Sequence, residues 1–343
     1  MRNGAEMKSY PTLKEVSAEA GVSMALASVV LNGKKSRIMA SPATRERIFK
    51  AAAALGYEPD RNAQGLRMAR SFLVGVLAYD ISSSFVPEIV TGIENTFLHT
   101  KYNILLGSYH SRAELDERLE MFRKRKVDAL IVICPSMDNM ADALSGFGQT
   151  VKVLVGRTVP LPLSAGVETD RDAIGRLAAR TLHGLGHRHA GYLVNPHCGH
   201  FGWDGEWARL GVPEAQRVVM ECRNFFTEGE AAARRMLTEH PEITAIFADS
   251  DILAAATVKG AAALGRQVPA DLSVLGTDDS ELCRMTSPTL SSIGQLKRGR
   301  GEIAAKMVLD MLERREVKNI TLSGKLVVRE SLGPAPGCRE EGR

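Results

Sequence analysis

Residues 12–33 read TLKEVSAEAGVSMALASVVLNG, and their reading decides how the N-terminus folds. Thr12 stands three residues before Glu15, the spacing of a reciprocal capping box at a helix start. A helix over Leu13–Ala20 then places Leu13, Val16 and Ala20 on one face. Gly21 supplies the backbone freedom for a tight turn. Ser23 caps a second helix over Met24–Leu31, which Asn32-Gly33 ends. Two short helices about a glycine turn are the geometry of a helix-turn-helix. Along the second helix Leu26, Val30 and Leu31 supply the inward face, and Val29 points away from it.

Working outward, Ser41-Pro42 opens a third helix over Ala43–Leu55, closed by Gly56. Its stripe of Ile48, Ala51, Ala52 and Leu55 seals a three-helix core. Lys34-Lys35-Ser36-Arg37 is a basic loop, readable as a phosphate clamp or as a plain surface charge run. Residues 1–70 hold twelve Lys and Arg against six Asp and Glu, whereas the rest of the chain holds 32 against 34. A small basic module on a near-neutral body is the electrostatic footprint of phosphate-backbone binding.

From Phe72 the pattern becomes alternating apolar strands and helices, the signature of α/β layers. Strands are predicted at Leu73–Ala78, Asn103–Gly107, Ala129–Ile133, Val151–Gly156, Gly191–Val194, Ala245–Ala248 and Ser273–Gly276. Helices are predicted at Pro87–Leu98, Ala113–Arg125, Asp172–Leu185, Glu228–Glu239, Asp251–Leu264 and Gly299–Glu313, the last with an apolar stripe suited to a dimer interface. Two doubly wound halves result, with ligands expected in the crevice outside the strand carboxyl ends. The expected division is 10–58 for the helix-turn-helix, 59–71 for a linker, 72–333 for the body and 334–343 for a disordered Pro/Gly-rich tail.

Composition excludes several classes. No run of 18 uncharged apolar residues suggests a membrane span, and residues 1–9 carry no apolar segment of the kind that directs export. The five cysteines are scattered, without C-x-x-C, which fits a reducing cytoplasm rather than a disulfide framework. His197, Cys198 and His200 lie close together, but no second ligand group supports a metal site, and no cofactor is expected. Neither a phosphate-cradling G-x-G-x-x-G nor a nucleophile–base set argues for an enzyme.

The motifs A-G-V-S (20–23), V-L-N-G (30–33), T-R-E-R-I (44–48), L-G-Y-x-P (55–59) and A-x-x-L (63–66) together resemble the lactose-repressor (LacI/GalR) family. The resemblance extends to about residue 333 through L-V-G-V-L, A-D-S-D-I-L, V-P-A-D-L-S-V-L-G-T-D-D and S-P-T-L-S-S-I. It implies an all-α helix-turn-helix DNA-binding domain plus an α/β two-subdomain core like the periplasmic binding proteins. It also implies a homodimeric, cytoplasmic repressor on a pseudo-palindromic double-stranded DNA operator, controlled by a small, sugar-like effector. An effector-independent or partner-controlled regulator on the same fold is the alternative.

By the resemblance, the second helix lies in the major groove, with Met24, Ala25 and Val29 at reading positions, Ser28 nearby, and Ser23 and Asn32 touching phosphates or fixing the fold. Met24, Ala25 and Val29 cannot make bidentate hydrogen bonds to bases, so readout by thymine methyls, phosphates and DNA shape is expected. Residues 59–67 resemble the family's hinge helix, with Leu66 as the minor-groove wedge, Ala63 permitting close approach, and Arg61 and Arg67 following the groove. Effector contacts implied by the resemblance are Phe85, Thr169, Asp170, Trp203, Phe226, Ser250, Asp251, Asp278 and Gln295. Helix capping is the competing reading for the aspartates. Two departures stand out: Gly199 falls near a family arginine that grips effectors, and Gly156 stands where many relatives carry Asp.

Overall fold

The computed structural model describes residues 11–32, 40–58, 70–81, 85–133, 140–156, 160–196 and 201–337. The expected roles of Lys34, Lys35, Arg61, Ala63, Leu66 and Arg67, and the His197–Cys198–His200 cluster, lie outside these residues. The chain divides into two compact units, Met1–Ser71 and Phe72–Arg343.

The first unit holds α1 (Leu13–Glu19), α2 (Met24–Leu31) and α3 (Pro42–Leu55). The capping box forms: the Thr12 N–H donates to Glu15 Oε2 at 2.6 Å, and the Glu15 N–H donates to Thr12 Oγ1 at 3.4 Å. Gly21, at φ +61, turns the chain between α1 and α2, a conformation that L side chains resist. Ser23 Oγ then accepts the Leu26 N–H at 3.2 Å. Val16, Ala20, Ala27, Val30, Ile48, Ala51 and Ala52 form the core, with Leu13, Leu26 and Leu31 packed against it. Leu55 is exposed rather than part of the seal, because α3 ends there and Tyr57 packs against the core instead.

The second unit contains two lobes. Lobe 1 is built from β1 (Leu73–Ala78), α4 (Val86–Phe97), β2 (Asn103–Ser108), α5 (Arg112–Lys124), β3 (Ala129–Ile133), α6 (Met140–Leu144), β4 (Val151–Gly156) and β5 (Ser164–Thr169). Lobe 2 follows with α7 (Arg171–Gly184), β6 (Ala190–Val194), α8 (Phe201–Arg209), β7 (Arg217–Glu221), α9 (Phe226–Glu239), β8 (Ala245–Ala248), α10 (Asp251–Ala263), β9 (Ser273–Asp278), α11 (Leu282–Met285) and β10 (Ser291–Gly294). The chain then makes α12 (Lys297–Leu312), β11 (Ile320–Leu322) and β12 (Lys325–Val327).

The sheets run β2-β1-β3-β4-β5-β11 and β7-β6-β8-β9-β10-β12. Every pairing is parallel except β10 with β12. Each lobe is therefore doubly wound with its first strand near the switch point, where ligands bind at strand carboxyl ends. β5, β7, β10, β11 and β12 were not expected from the sequence. β10 reads Ser-Ser-Ile-Gly, a turn-like composition, but its serines are buried and satisfied: Ser291 Oγ accepts from the Arg329 N–H at 2.7 Å and Ser292 Oγ donates to Asp251 Oδ1 at 2.6 Å. β7 is a half-buried edge strand, and β11 and β12 have three residues each, too short for a periodic signal.

The helix after each fifth strand crosses to the other lobe. α7 follows β5 and lays Ile174, Ala178, Ala179 and Leu182 into the lobe 2 core. α12 follows β10 and lays Ala304, Ala305, Met307 and Val308 into the lobe 1 core. The apolar stripe of α12 is thus spent inside its own chain, which corrects the expectation of a dimer interface there. Both crossings bring backbones into contact through glycine. A Cβ on Gly301 of α12 would lie 2.0 Å from the Ile89 carbonyl oxygen of α4, and one on Gly202 of α8 would lie 2.1 Å from the Asp172 carbonyl oxygen of α7. Residues 334–337 depart from the expected disorder: Ala335 is buried, and its N–H donates to the Leu185 carbonyl at 2.8 Å. Among the described residues no helix is long and apolar enough to cross a membrane.

Candidate nucleic-acid interface and effector cleft

In the first unit, α2 offers its opening turn to solvent. Ser23, Met24 and Ala25 are exposed, Met24 at 53%, while Ala27 and Val30 face inward. Ser28 and Val29 are half-buried, and Val29 lies outside the core cluster, so the 24–25–28–29 face is the free one. The Asn32 amide donates to the Ser28 carbonyl at 2.7 Å, tying the helix end together. Its structural role is therefore explicit.

In the second unit, the carboxyl ends of the strands converge where the chain passes between lobes. Residues 82–84, 134–139, 157–159 and 197–200, which follow β1, β3, β4 and β6 in the sequence, lie outside the described residues. Asp278 ends β9 at φ +114, and Asp279 follows at φ +51. Asp278 Oδ1 accepts from Gln295 Nε2 at 2.9 Å. Its Oδ2 lies 3.8 Å from Lys297 Nζ, and the same ammonium lies 3.7 Å from Glu88 Oε1 on α4. Lys297 thus stands between a lobe 1 carboxylate and a lobe 2 carboxylate. Burial pushes the Asp278 carboxyl up to about 7, against the downward pull of Lys297. One turn along α12, Arg300 Nη1 donates to Thr169 Oγ1 at 3.2 Å. Of the residues the resemblance implied, Asp278 and Gln295 meet directly, and Thr169 meets Arg300.

Other expected contacts go elsewhere. Trp203 is fully buried in lobe 2, its ring 5.6 Å from Phe247 and 5.4 Å from Tyr192. An aromatic of that volume on the inner face of α8 fills core, so it is no cleft wall. Asp251 spends both oxygens internally: Oδ2 accepts from the Ser280 N–H at 2.6 Å and Oγ at 2.7 Å, while Oδ1 takes the Ser292 hydroxyl. Ser250 caps α10 by accepting the Leu253 N–H at 3.2 Å, and its hydroxyl also bonds Asn224. Asp170 caps α7 by accepting the Ala173 N–H at 2.7 Å. For these three residues, capping and strand-end bridging is the observed role. Phe226 begins α9 with Lys259 Nζ 5.4 Å from its ring centre, and Phe85 packs on the lobe 1 core at the start of α4.

Glu88, Arg171, Asp249, Lys297 and Arg300 complete this region without having been anticipated. Arg171 Nη2 bonds Asp249 Oδ1 at 2.5 Å, and the Tyr192 hydroxyl reaches the same oxygen at 3.3 Å. Lys297 and Arg300 show in the sequence as the charged run Lys297-Arg298-Gly299-Arg300 at the head of a helix whose later turns are mixed. Among the described residues no group of three His, Cys, Asp or Glu is placed to hold a metal ion.

Comparison with known proteins bears on both units. Residues 12–60 match the family model described as bacterial regulatory proteins, lacI family, and residues 179–332 match a periplasmic binding protein-like domain. The chain is 30% identical over 307 residues to the HTH-type transcriptional regulator GalS of Salmonella typhimurium (strain LT2), covering 87% of this chain and 89% of that one. It is 27% identical over 341 residues to catabolite control protein A of Priestia megaterium, covering 93% and 98%. Among solved structures, a transcriptional regulator CelR–cellobiose complex is 27% identical with a TM-score of 0.70, covering 94% of this chain and 99% of that one. The lac repressor dimer bound to operator and an anti-inducer shares the fold at a TM-score of 0.84 and 24% identity, covering 94% and 99%.

Proposed function

Because the chain belongs to the LacI family of bacterial regulatory proteins, we propose that it is a repressor working as a homodimer on a pseudo-palindromic operator. Its curated relatives are transcriptional regulators rather than enzymes. A regulator of this kind acts where the chromosome is, in the cytoplasm. The observation that carries the proposal is the exposed opening turn of α2, Ser23-Met24-Ala25, on a helix whose Ala27 and Val30 are buried in the three-helix core.

Two copies of α2 enter successive major grooves, following the two-fold symmetry of the dimer. Ser23 and the helix N-terminus approach a phosphate. Met24, Ala25 and Val29 meet base edges through apolar contact, chiefly thymine methyls. A small effector binds at the strand carboxyl ends of the second unit, where Asp278 and Gln295 offer an acceptor and a donor for hydroxyl groups. Cellobiose, in the solved CelR complex, exemplifies the chemical class. Effector control requires that the ligand bind one lobe arrangement better than the other.

Selection from a random duplex pool with the full chain tests this. The expected product is a pair of two-fold related half-sites, bound at least a hundredfold more tightly than random duplex. Met24→Ala is expected to weaken the selected site by about tenfold, or ~1.4 kcal/mol. Equal affinity for selected and random duplexes at one salt concentration overturns the reading.

A further inference from the structure

We propose that the cleft takes an anionic effector, a hydroxylated small molecule carrying a carboxylate or phosphate, with Arg300 and Lys297 holding the anion. This deepens the effector reading above and rests on it. The starting observation is a pair of buried cations whose hydrogen bonds are not all made. Lys297 is 3% exposed and Arg300 6% exposed. Among the described residues Lys297 Nζ and Arg300 Nε have no hydrogen-bond partner, and each is a donor only. Lys297 has carboxylates 3.7 and 3.8 Å away, beyond hydrogen-bonding distance. Arg300 has one neutral partner, the Thr169 hydroxyl, and no carboxylate within 4 Å among the described residues.

A buried guanidinium without a counter-anion is costly, and arginine does not escape the cost by losing its proton. The charges that reach Arg300 are Asp278 and Glu88, which favour it, and Arg171, which opposes it. Asp278 is a weak source of compensation, since burial raises its own carboxyl to about 7.

The twofold design of the body shows that the fold does not require an arginine there. α7 and α12 occupy matching places, each following the fifth strand of one lobe and packing on the other lobe. Their first residues are Arg171 and Lys297. Three residues on, α7 has Ile174, buried in the lobe 2 core, where α12 has Arg300. Asp170 caps α7 with a carboxylate, whereas Leu296 precedes α12 at φ +52 with no side-chain cap. The N-terminus of the 16-residue α12 therefore combines the positive end of the helix dipole, without a side-chain cap, with two buried cations, an arrangement that favours an incoming oxyanion. Hydroxyl groups on the same ligand would meet Asp278 and Gln295 beside it.

Calorimetric titration of the full chain with matched triads tests the proposal. Each triad is a neutral sugar, its aldonate and its phosphate ester, in the glucose, galactose, mannose and ribose series. Inorganic phosphate serves as the minimal anion, read by melting temperature at fixed ionic strength. At least one anionic member is expected to bind tenfold or more tightly than its neutral parent, and the aldonate and phosphate arms identify which oxyanion is taken. Arg300→Ile, which installs the residue of the matching position, is expected to abolish that preference while the protein stays folded with an equal or higher melting temperature. Inorganic phosphate is expected to stabilise the parent chain and not the variant. Binding of neutral sugars alone, or a phosphate response identical in both proteins, overturns the anionic assignment and leaves the effector reading standing. Binding of no triad member, with no change in operator affinity, overturns both.

Discussion

Lobe 1 ends its fourth strand in Gly156 at φ +124, and lobe 2 ends its fourth strand in Asp278 at φ +114. The two residues hold the same place in two sheets of the same order, and the backbone takes the same left-handed course at both. One position carries a carboxylate wired to Gln295 and Lys297, and the other carries no side chain. The helices repeat the contrast. α7 spends its first turn on a cap and an ion pair within lobe 2, while α12 brings two cations to the meeting place of the lobes. A duplicated scaffold thus keeps its packing rules in both halves and puts its polar chemistry on one side. Packing is a condition for either lobe to close, whereas a ligand needs only one well-furnished wall.

The strongest way to break this equivalence is at the glycine crossings. Gly301→Ala and Gly202→Ala each force a Cβ onto a backbone carbonyl oxygen, and each is expected to cost about 3 kcal/mol or more. Urea unfolding of both variants checks it, and a severe loss in one lobe with none in the other would show that the crossings are not equivalent.

A second effect, of similar size, separates the two strand ends through pH. The Asp278 carboxyl is raised from 3.8 in the free group to about 7 in the fold. The folded state therefore keeps a proton that the unfolded chain has lost between pH 4 and 7. Stability contributed by protonated Asp278 is complete below about pH 4 and is lost as pH rises to 7, with a slope of at most ~1.4 kcal/mol per pH unit. Asp278→Asn does not titrate, so its stability relative to the parent is expected to improve from pH 4.5 to 7.5. Denaturation at both pH values reads this, and a constant difference would remove the raised carboxyl. Smallest of all, Gly156→Asp is expected to cost only about 1 kcal/mol in thermal denaturation, since Asp278 shows that aspartate holds this backbone. A loss as large as that of Gly301→Ala would mean that the two strand ends differ in their surroundings.

These contrasts also explain what the sequence discloses. The helix-turn-helix was legible because each signal is local: Thr12 with Glu15, Gly21, Ser23, and Ser41 before Pro42. The apolar central strands were legible because β1, β3 and β4 are buried almost end to end. β10 was not, because a strand of buried serines owes its stability to Asp251 and Arg329, which lie 40 or so residues away in the chain. In the candidate site, Asp278 and Gln295 were singled out through a family resemblance, and they meet in the structure. Trp203 and Asp251 were misplaced because residue type does not say which face of an element a side chain occupies. Lys297 and Arg300 were missed because Glu88 and Thr169, the groups they face, lie far from them in the sequence, Thr169 by 131 residues.

The crossing of α12 also bears on the order in which the protein is completed. Lobe 1 draws on residues 73–169, then on Lys297–Leu312 and on β11. On a ribosome, its core stays open until some 150 further residues have been added, and the intervening lobe 2 strands emerge first. Lobe 2 has five of its six strands within residues 190–294, so most of that half can form first although it comes second in the sequence, with its edge strand β12 joining only after β11 is made. Between those two moments β5 lacks its outer neighbour and β3 and β4 lack their covering helix. That unfinished lobe 1 is the stage at which a nascent chain leaves apolar core surface uncovered.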